Sequence, residues 1–409
     1  MIIKISVAGL QPGMCLVNPG LQQQDHPEIC LRDLQVEDAA QIQELRDRHF
    51  TDVFIDTDKG PYFRERPEEK VRMERMFSQV SQENPTAVAS APPFDAVAAV
   101  LPRADAQYTQ LVQYCRTFLE QIKLAGAIDL ESSESFVQDV IAREGPSGHA
   151  MYLLSKLRSY DEYTYTHTLN VSLLATLFGK ALGLSQDNLM VLGLGGLFHD
   201  IGKMLVPEKI LKKPGSLTAK EMEEMRRHPE YGARLLRERG DVAAPVLRVV
   251  LEHHERHDGK GYPRGVGNGQ LAHASQLMAI VDCFDALTSD RFYARAVHQH
   301  KAVCIIYNLR GSSFSPPMVD RFIRFVGIYP VGSIVVFRNG MKAIVIEQNE
   351  RSLLHPKVRV ILDNRNRYCP PRDVDLAEVR HTDPNFAITE CLSSRDCRIH
   401  IDAYMKAPG

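Results

Sequence analysis

The sequence predicts a mainly α chain, a helical bundle flanked by small β-containing modules at its N-terminal and C-terminal ends. Three observations carry that expectation. From Met151 to about Gln299 nearly every segment has helical periodicity. Residues 1 to about 60, and those after about 314, instead carry short apolar runs bounded by turn residues. Between the first module and the bundle, Ser81 to Pro102 shifts to Ala, Pro, Ser and Val with few charges, the composition of a linker. The predicted division is therefore a module over 1–80, a linker over 81–102, a helical domain over 103–313, and a helix with a small β module over 314–409.

Each element has its own local reason. Met1-Ile2-Ile3-Lys4-Ile5-Ser6-Val7 alternates like a strand, Val36–Arg48 reads as a short helix, and Asp52–Asp56 is a second apolar run. Tyr108, Leu111, Val112, Cys115, Phe118, Leu119 and Ile122 mark one apolar helical stripe, and Phe136, Val140 and Ile141 another. Leu189 to Phe198, interrupted by three glycines, reads as a buried core helix. Thr218-Ala219-Lys220-Glu221 is a capping box that starts a helix toward His228, and Pro229 forces a break or restart there. Pro245 suits the first turn of the helix that ends in Glu252-His253-His254-Glu255. Further on, Met318–Phe325 should be a short helix stopped by Gly327. Ile334–Phe337 and Ala343–Ile346 flank Asn339-Gly340, a hairpin signal, and Val358–Leu362 supplies a third strand.

Composition excludes several classes. The chain has 409 residues, 44% hydrophobic and 24% charged, with a formal charge of -2. That is enough apolar material for a sizeable core, and it offers no basic field for duplex nucleic acid. The N-terminus lacks the long apolar stretch of a signal peptide, and Leu189–Phe198 is too short to cross a bilayer. A cytoplasmic protein without membrane insertion is expected. The eight cysteines form no Cys-x-x-Cys pair, so reduced thiols are expected rather than a disulfide framework. Cys391 and Cys397 have no partner pair nearby to complete a zinc site.

The placement of the histidines carries the chemistry. His167, the pair His199-Asp200, His228, the pair His253-His254, and Asp282 all lie in or at the end of apolar helical segments. A titratable group is costly there unless it is partnered, and a cation is an efficient partner. A lone histidine on an apolar helix is more often a core residue bonded to a carbonyl, and a lone His-Asp dipeptide means little. Seven such residues spread over several helices, four of them in adjacent pairs, are not explained that way. Five imidazoles and two carboxylates exceed one tetrahedral zinc but fit two first-row metals with one carboxylate bridging. Two metals about 3.5–4 Å apart suit displacement at phosphorus, where one activates the attacking water and both stabilise oxygen charge.

At this point the sequence resembles a known family. His199-Asp200-Ile201-Gly202-Lys203 resembles the HD metal-binding motif, and His253 to Pro263 (HHERHDGKGYP) resembles the extended GYP motif. Together with Asp282 to Arg291 (DCFDALTSDR), these match the HD-GYP family of bacterial cyclic di-GMP phosphodiesterases, from about Tyr160 to Arg295. The N-terminal module is similar to the DUF3391 region often found ahead of such domains. Gly327 to Gly332 resembles the segment that follows them.

The resemblance implies an HD-type helical bundle that hydrolyses cyclic di-GMP to linear pGpG, with GMP left open as a further product. It implies a first metal held by His167, His199, Asp200 and Asp282, and a second held by bridging Asp200 with His228, His253 and His254. Asp200 and Lys203 would carry the catalysis, Lys203 by donating to a phosphate oxygen or the leaving group. Gly261, Tyr262, Pro263, Asp285 and Arg291 would contact substrate, with Tyr262 either stacked on a guanine or anchoring its loop. Iron or manganese is expected, zinc or cobalt being the alternatives. A homodimer and docking to diguanylate cyclases stand as partner expectations. Three departures from the family pattern matter. Tyr163 replaces a glutamate that holds a third metal in some members, so two metals are expected. His257 stands where tryptophan is common, and Ala294 where a basic residue is common, with Arg295 next. Two other readings keep part of this picture: an HD-superfamily hydrolase of a different nucleotide, and a non-catalytic cyclic di-GMP receptor or interaction module.

Overall fold

The computed structural model describes residues 2–23, 26–56, 92, 94–125, 128–143, 145–157, 163–213, 217–239, 242–267, 269–289, 296–349 and 352–392. It is a helical body with one small sheet at each end, as the apolar patterns predict. No helix among the described residues is long and apolar enough to cross a membrane. None of the seven described cysteines forms a disulfide. Cys397 lies outside the described residues.

The first sheet is built around β5 (Asp52–Asp56). β1 (Ile2–Ser6) pairs antiparallel along one edge of it. β2 (Cys15–Leu16) and β3 (Ile29–Cys30) pair with it antiparallel and parallel respectively, and β4 (Leu34–Gln35) continues from β2. The period of two in β5 divides its side chains between two cores. Val53 and Ile55 pack with Ile42 and Leu45 of the helix Ala39–Asp47, while Phe54 joins the core of the helical body. Ile2, Leu21, Ile29 and Leu31 also cross into that larger core, so the N-terminal module is seated on the bundle.

The segment expected as a linker ends inside a helix. Phe94–Ala125 is continuous through Pro102. Ala96, Ala98 and Ala99 favour helix, and Val97 and Ala98 are buried, which outweighs the single hydrogen bond that proline removes. Residues 81–91 lie outside the described part of the chain.

Two helices form the centre of the body, Tyr163–Ala181 and Gln186–Phe198. The second is buried from Leu192 to Phe198, and its glycines set how closely its neighbours approach. A Cβ on Gly193 would stand 2.3 Å from Val137, and one on Gly196 would stand 2.6 Å from the Cα of Ser172. The Gly196 contact brings the two backbones together and draws His199 toward His167. Burial of each Leu or Phe along this seam contributes roughly 1.5–3 kcal/mol. Ser172 adds a buried bond to the carbonyl of Gly193, 2.7 Å.

The C-terminal sheet is antiparallel and runs from the strand Ile388–Leu392 (β10) at one edge through Ile334–Phe337 (β6), Lys342–Glu347 (β7) and Lys357–Leu362 (β8) to Tyr368–Asp375 (β9) at the other. Ala343 and Val345 face a local core, while Ile344 and Ile346 face the helical body. The helix Pro316–Val326 ends at Gly327, whose φ of 84° is a backbone conformation that glycine adopts without steric cost. The sequence reading omits β9 and β10. β9 contains Pro370 and Pro371, which an edge strand tolerates and a central strand does not.

Candidate metal centre

Five helices and their ends deliver the predicted ligands to one place. His167 lies in the first turns of Tyr163–Ala181, and His199 caps Gln186–Phe198 with Asp200 just beyond it. His228 begins the helix His228–Arg239, as Pro229 requires. His253 caps Ala244–Glu252 and is followed by His254. Asp282 comes from the middle of His273–Thr288.

Gly202 makes the junction between two of these elements possible. The 3-10 turn Ile201–Leu205 lies so close to His228–Arg239 that a Cβ on Gly202 would sit 1.9 Å from the carbonyl oxygen of His228.

The side chains form two ligand sets that meet at one carboxylate. Asp200, His228, His253 and His254 present ligand atoms within 4.8 Å of one another, and so do His167, His199 and Asp282. Asp200 Oδ1 lies 3.4 Å from His228 Nε2 and 3.9 Å from His253 Nε2. Its Oδ2 lies 3.4 Å from His199 Nε2 and 3.9 Å from His167 Nε2. His167 Nε2 is also 3.1 Å from Asp282 Oδ1. Ligands about 2.1 Å from a common ion and at right angles stand roughly 3 Å apart, so these spacings suit cations.

The hydrogen bonds orient the rings for that purpose. His199, His228 and His253 each direct Nδ1 at the carbonyl three residues earlier, those of Gly196, Met225 and Val250, at 2.7, 2.9 and 2.8 Å. An Nδ1 proton held this way leaves the Nε2 lone pair pointing into the cluster. His199 Nε2 and Asp200 Oδ1 are buried and have no hydrogen-bond partner. Such orphans are costly, and a divalent cation in each set would satisfy them. The donor set therefore fits metal ions.

Charge follows the same logic. Burial, with Lys203 beside it, lowers the pKa of His228 to about 3. Burial and His199 lower that of His253 to about 4, and burial also holds His254 well below the usual histidine range. These three imidazoles are neutral at pH 7 and ready to donate. For His167 burial favours the neutral ring, but bonds to Asp282 and Asp285 outweigh it and raise the pKa to about 9. For Asp200 burial opposes ionisation, yet Lys203 and His199 hold its carboxyl well below the ordinary value.

Lys203 donates to Asp200 Oδ2 at 2.6 Å. It lines a narrow cavity of about 80 Å³ together with His167, His253, His254 and Asp282. The opposite wall comes from the N-terminal module through Gly20, Leu21, Gln22 and His26. Two contacts seat that wall: His26 Nδ1 lies 3.2 Å from Ser313 Oγ, and Arg256 pairs with Glu28 at 2.7 Å. Sequence reading missed this wall, because nothing in residues 18–28 marks a catalytic grouping.

The expected substrate contacts fare differently. Asp285 is wholly buried, and both its oxygens are engaged, by Lys156 at 2.6 Å and by His167 Nδ1 at 2.8 Å. It faces the back of His167 and not the cavity, which corrects its assignment as a substrate contact. Tyr262 is also buried; it stacks on His254 at 4.7 Å, with the Arg226 guanidinium 5.5 Å from its ring centre. In this arrangement the ring anchors the loop to His254. Tyr262 and Pro263 line a separate shallow groove with Arg226 and Arg227. A Cβ on Gly261 would meet the Arg256 nitrogen at 2.4 Å, so glycine lets the loop fold back on itself. Arg291, with Ala294 and Arg295, lies outside the described residues.

Comparison with known proteins agrees with this geometry. Residues 152–317 match the model of the HD domain, and residues 2–132 match DUF3391, a domain of unknown function. The latter extends past the expected 1–80 module into the first long helix. The chain is 34% identical over 384 residues to a cyclic di-GMP phosphodiesterase of Pseudomonas aeruginosa, covering 94% of this chain and 91% of that one. It is 36% identical over 176 residues to a cyclic di-GMP phosphodiesterase response regulator of Xanthomonas campestris, covering 42% of this chain and 47% of that one. A cyclic di-GMP phosphodiesterase of Thermotoga maritima matches at 34% over 174 residues, again covering 42% and 47%.

Proposed function

Because this chain belongs to the HD-GYP family of cyclic di-GMP phosphodiesterases, we propose that it hydrolyses cyclic di-GMP to linear pGpG at a pair of divalent first-row metals, iron or manganese. The observation that carries the two-metal reading is the Asp200 carboxylate, whose oxygens face different ligand sets. One ion would be held by His167, His199, Asp200 and Asp282, the other by Asp200, His228, His253 and His254. Bound there, the ions supply Lewis acidity to water and offset charge on the phosphoryl oxygens.

The chain's own groups do the rest. Three neutral imidazoles and the oriented Nδ1 protons hold the ligand atoms in place before substrate arrives. Two dications against two carboxylates leave a positive site, which suits a dianionic cyclic dinucleotide. Lys203, on the cavity wall, is placed to donate to the departing 3′ oxygen of a phosphodiester seated against the ligands. Arg256 and Glu255 act on the loop: Glu255 accepts from the backbone of Arg264 and Val266 at 2.7 and 3.1 Å, fixing the turn that presents His254 and Tyr262.

The test is a substrate panel on one preparation: cyclic di-GMP, a mixed guanine–adenine cyclic dinucleotide, 3′,5′-cyclic GMP and guanosine tetraphosphate. Preferred turnover of cyclic di-GMP with pGpG as first product supports the reading. Tight binding of cyclic di-GMP without turnover, in protein carrying its metals, would instead make this chain a receptor.

A further inference from the structure

Behind His167 lies a buried charge pair that the reaction does not use directly. Lys156, from the helix Pro146–Leu157, has a side chain 1% exposed. Its Nζ donates to Asp285 Oδ1 at 2.6 Å and to Thr288 Oγ1 at 3.0 Å, and it stands 5.2 Å from the ring centre of Phe284. The other oxygen of Asp285 faces His167 Nδ1 at 2.8 Å and Ser289 Oγ at 3.3 Å. Asp285 therefore joins a lysine on one helix to a metal-ligand histidine on another.

The contrast with the other rings gives this chain of contacts its meaning. His199, His228 and His253 are oriented by backbone carbonyls, which are fixed by their helices and carry no net charge. His167 is oriented by a side-chain carboxylate, which can rotate and which brings a full negative charge into the interior. A carboxylate in that position needs both a second anchor and a countercharge. Lys156 supplies both, with Thr288 fixing the ammonium in turn.

We propose that Lys156 is a positioning residue of the metal centre. By holding Asp285 in place and balancing its charge, it aims the Nε2 lone pair of His167 at the cation shared with His199 and Asp282. This rests on the two-metal reading above.

The experiment is a manganese(II) titration of the metal-free full chain, followed by calorimetry, for wild type, Lys156→Met, Asp285→Asn and the double variant. Wild type should show two sites. Lys156→Met should weaken one of them by about 10- to 100-fold, the usual effect of removing an outer hydrogen-bond partner, and leave the other unchanged. The double variant should bind no more weakly than Asp285→Asn alone, because the lysine acts through that carboxylate. A lowered melting temperature of the metal-free Lys156→Met protein with both affinities unchanged would make the lysine merely structural and overturn the proposal. Additive losses in the double variant would also overturn it.

Should Lys156→Met fail to fold, Thr288→Val removes the second anchor of the ammonium and keeps every charge. It should weaken the same single site, and unchanged binding would again count against the proposal. Absence of manganese binding by wild type itself would be a failure of the metal reading, distinct from either result.

Discussion

Replacement of Gly202 by alanine tests how tightly the two ligand sets are held together. The new Cβ would lie 1.9 Å from the His228 carbonyl oxygen and 2.4 Å from the Gly232 nitrogen, whereas ordinary contact begins at 3.4 Å. Both neighbours are backbone, so neither can swing aside. The turn and the helix must separate by about 1.5 Å, well beyond the roughly 0.2 Å that metal–ligand distances tolerate. Asp200 lies two residues before Gly202, and His228 is the wall that the turn would push against, so the shift falls on the proposed bridging carboxylate and on a second proposed ligand. The structural cost should be about 1–3 kcal/mol, typical of overpacking, which a folded domain survives. The functional cost should be larger, since a misplacement of about 1 Å can reduce turnover on the order of 100-fold. The assay combines elemental analysis of desalted protein, melting of the metal-free form, and cyclic di-GMP turnover. The expected variant is folded, retains fewer than two metals, and is nearly inactive. A folded Gly202→Ala protein with full metal content and undiminished turnover would refute the packing argument.

Further outcomes follow from the same geometry. Lys203→Met should keep both metals but lower kcat by about 100-fold or more, measured under saturating cyclic di-GMP, because it removes a donor and not a ligand. His199→Ala should abolish turnover and lose the metal shared with His167 and Asp282, read by elemental analysis. Manganese affinity should depend on pH at one site only. His167, with its pKa raised to about 9, must release a proton to bind metal, so affinity at its site falls as pH drops below that value. The His228 and His253 site, with pKa values lowered to about 3 and 4, should stay flat between roughly pH 6 and 8 in the same titrations. Glu28→Gln loosens the tie between the N-terminal module and Arg256. It should change KM for cyclic di-GMP while leaving metal content and hydrolysis of a small aryl phosphodiester unchanged.

The proposed ligands were legible in the sequence because they lie where composition makes them conspicuous. A histidine or aspartate inside an apolar helix, such as Asp282 after Leu277, Met278, Ile280 and Val281, stands out against its surroundings. Helix ends were legible for a related reason: Thr218 and Glu221 form the expected capping box, and Gly327 the expected stop. What was not legible depends on contacts between distant segments. Asp285 lies three residues from Asp282, a proposed ligand, and reads as a site residue, yet only the packing of Lys156 from another helix reveals that it faces away from the cavity. Lys156 itself left a trace, a single charge after Met151, Tyr152, Leu153 and Leu154, the same kind of signal that marked the ligands. The wall formed by Gly20, Leu21, Gln22 and His26 left none, since its position is set by how the N-terminal sheet docks. Residues 94–102 show a different limit: alanine-rich sequence suits both a linker and a helix, and burial of Val97 and Ala98 decides for the helix.

The most direct test of the account is metal content measured with turnover on one anaerobically purified sample of the full chain. Elemental analysis should find close to two first-row metal ions per chain, and the same protein should convert cyclic di-GMP to pGpG. Removal of the ions by a chelator should stop that conversion, and their return should restore it. Undiminished conversion by the chelated, metal-free protein, or failure of the chain to take up any metal on anaerobic reconstitution, would contradict the assignment of the seven ligands and the mechanism built on them.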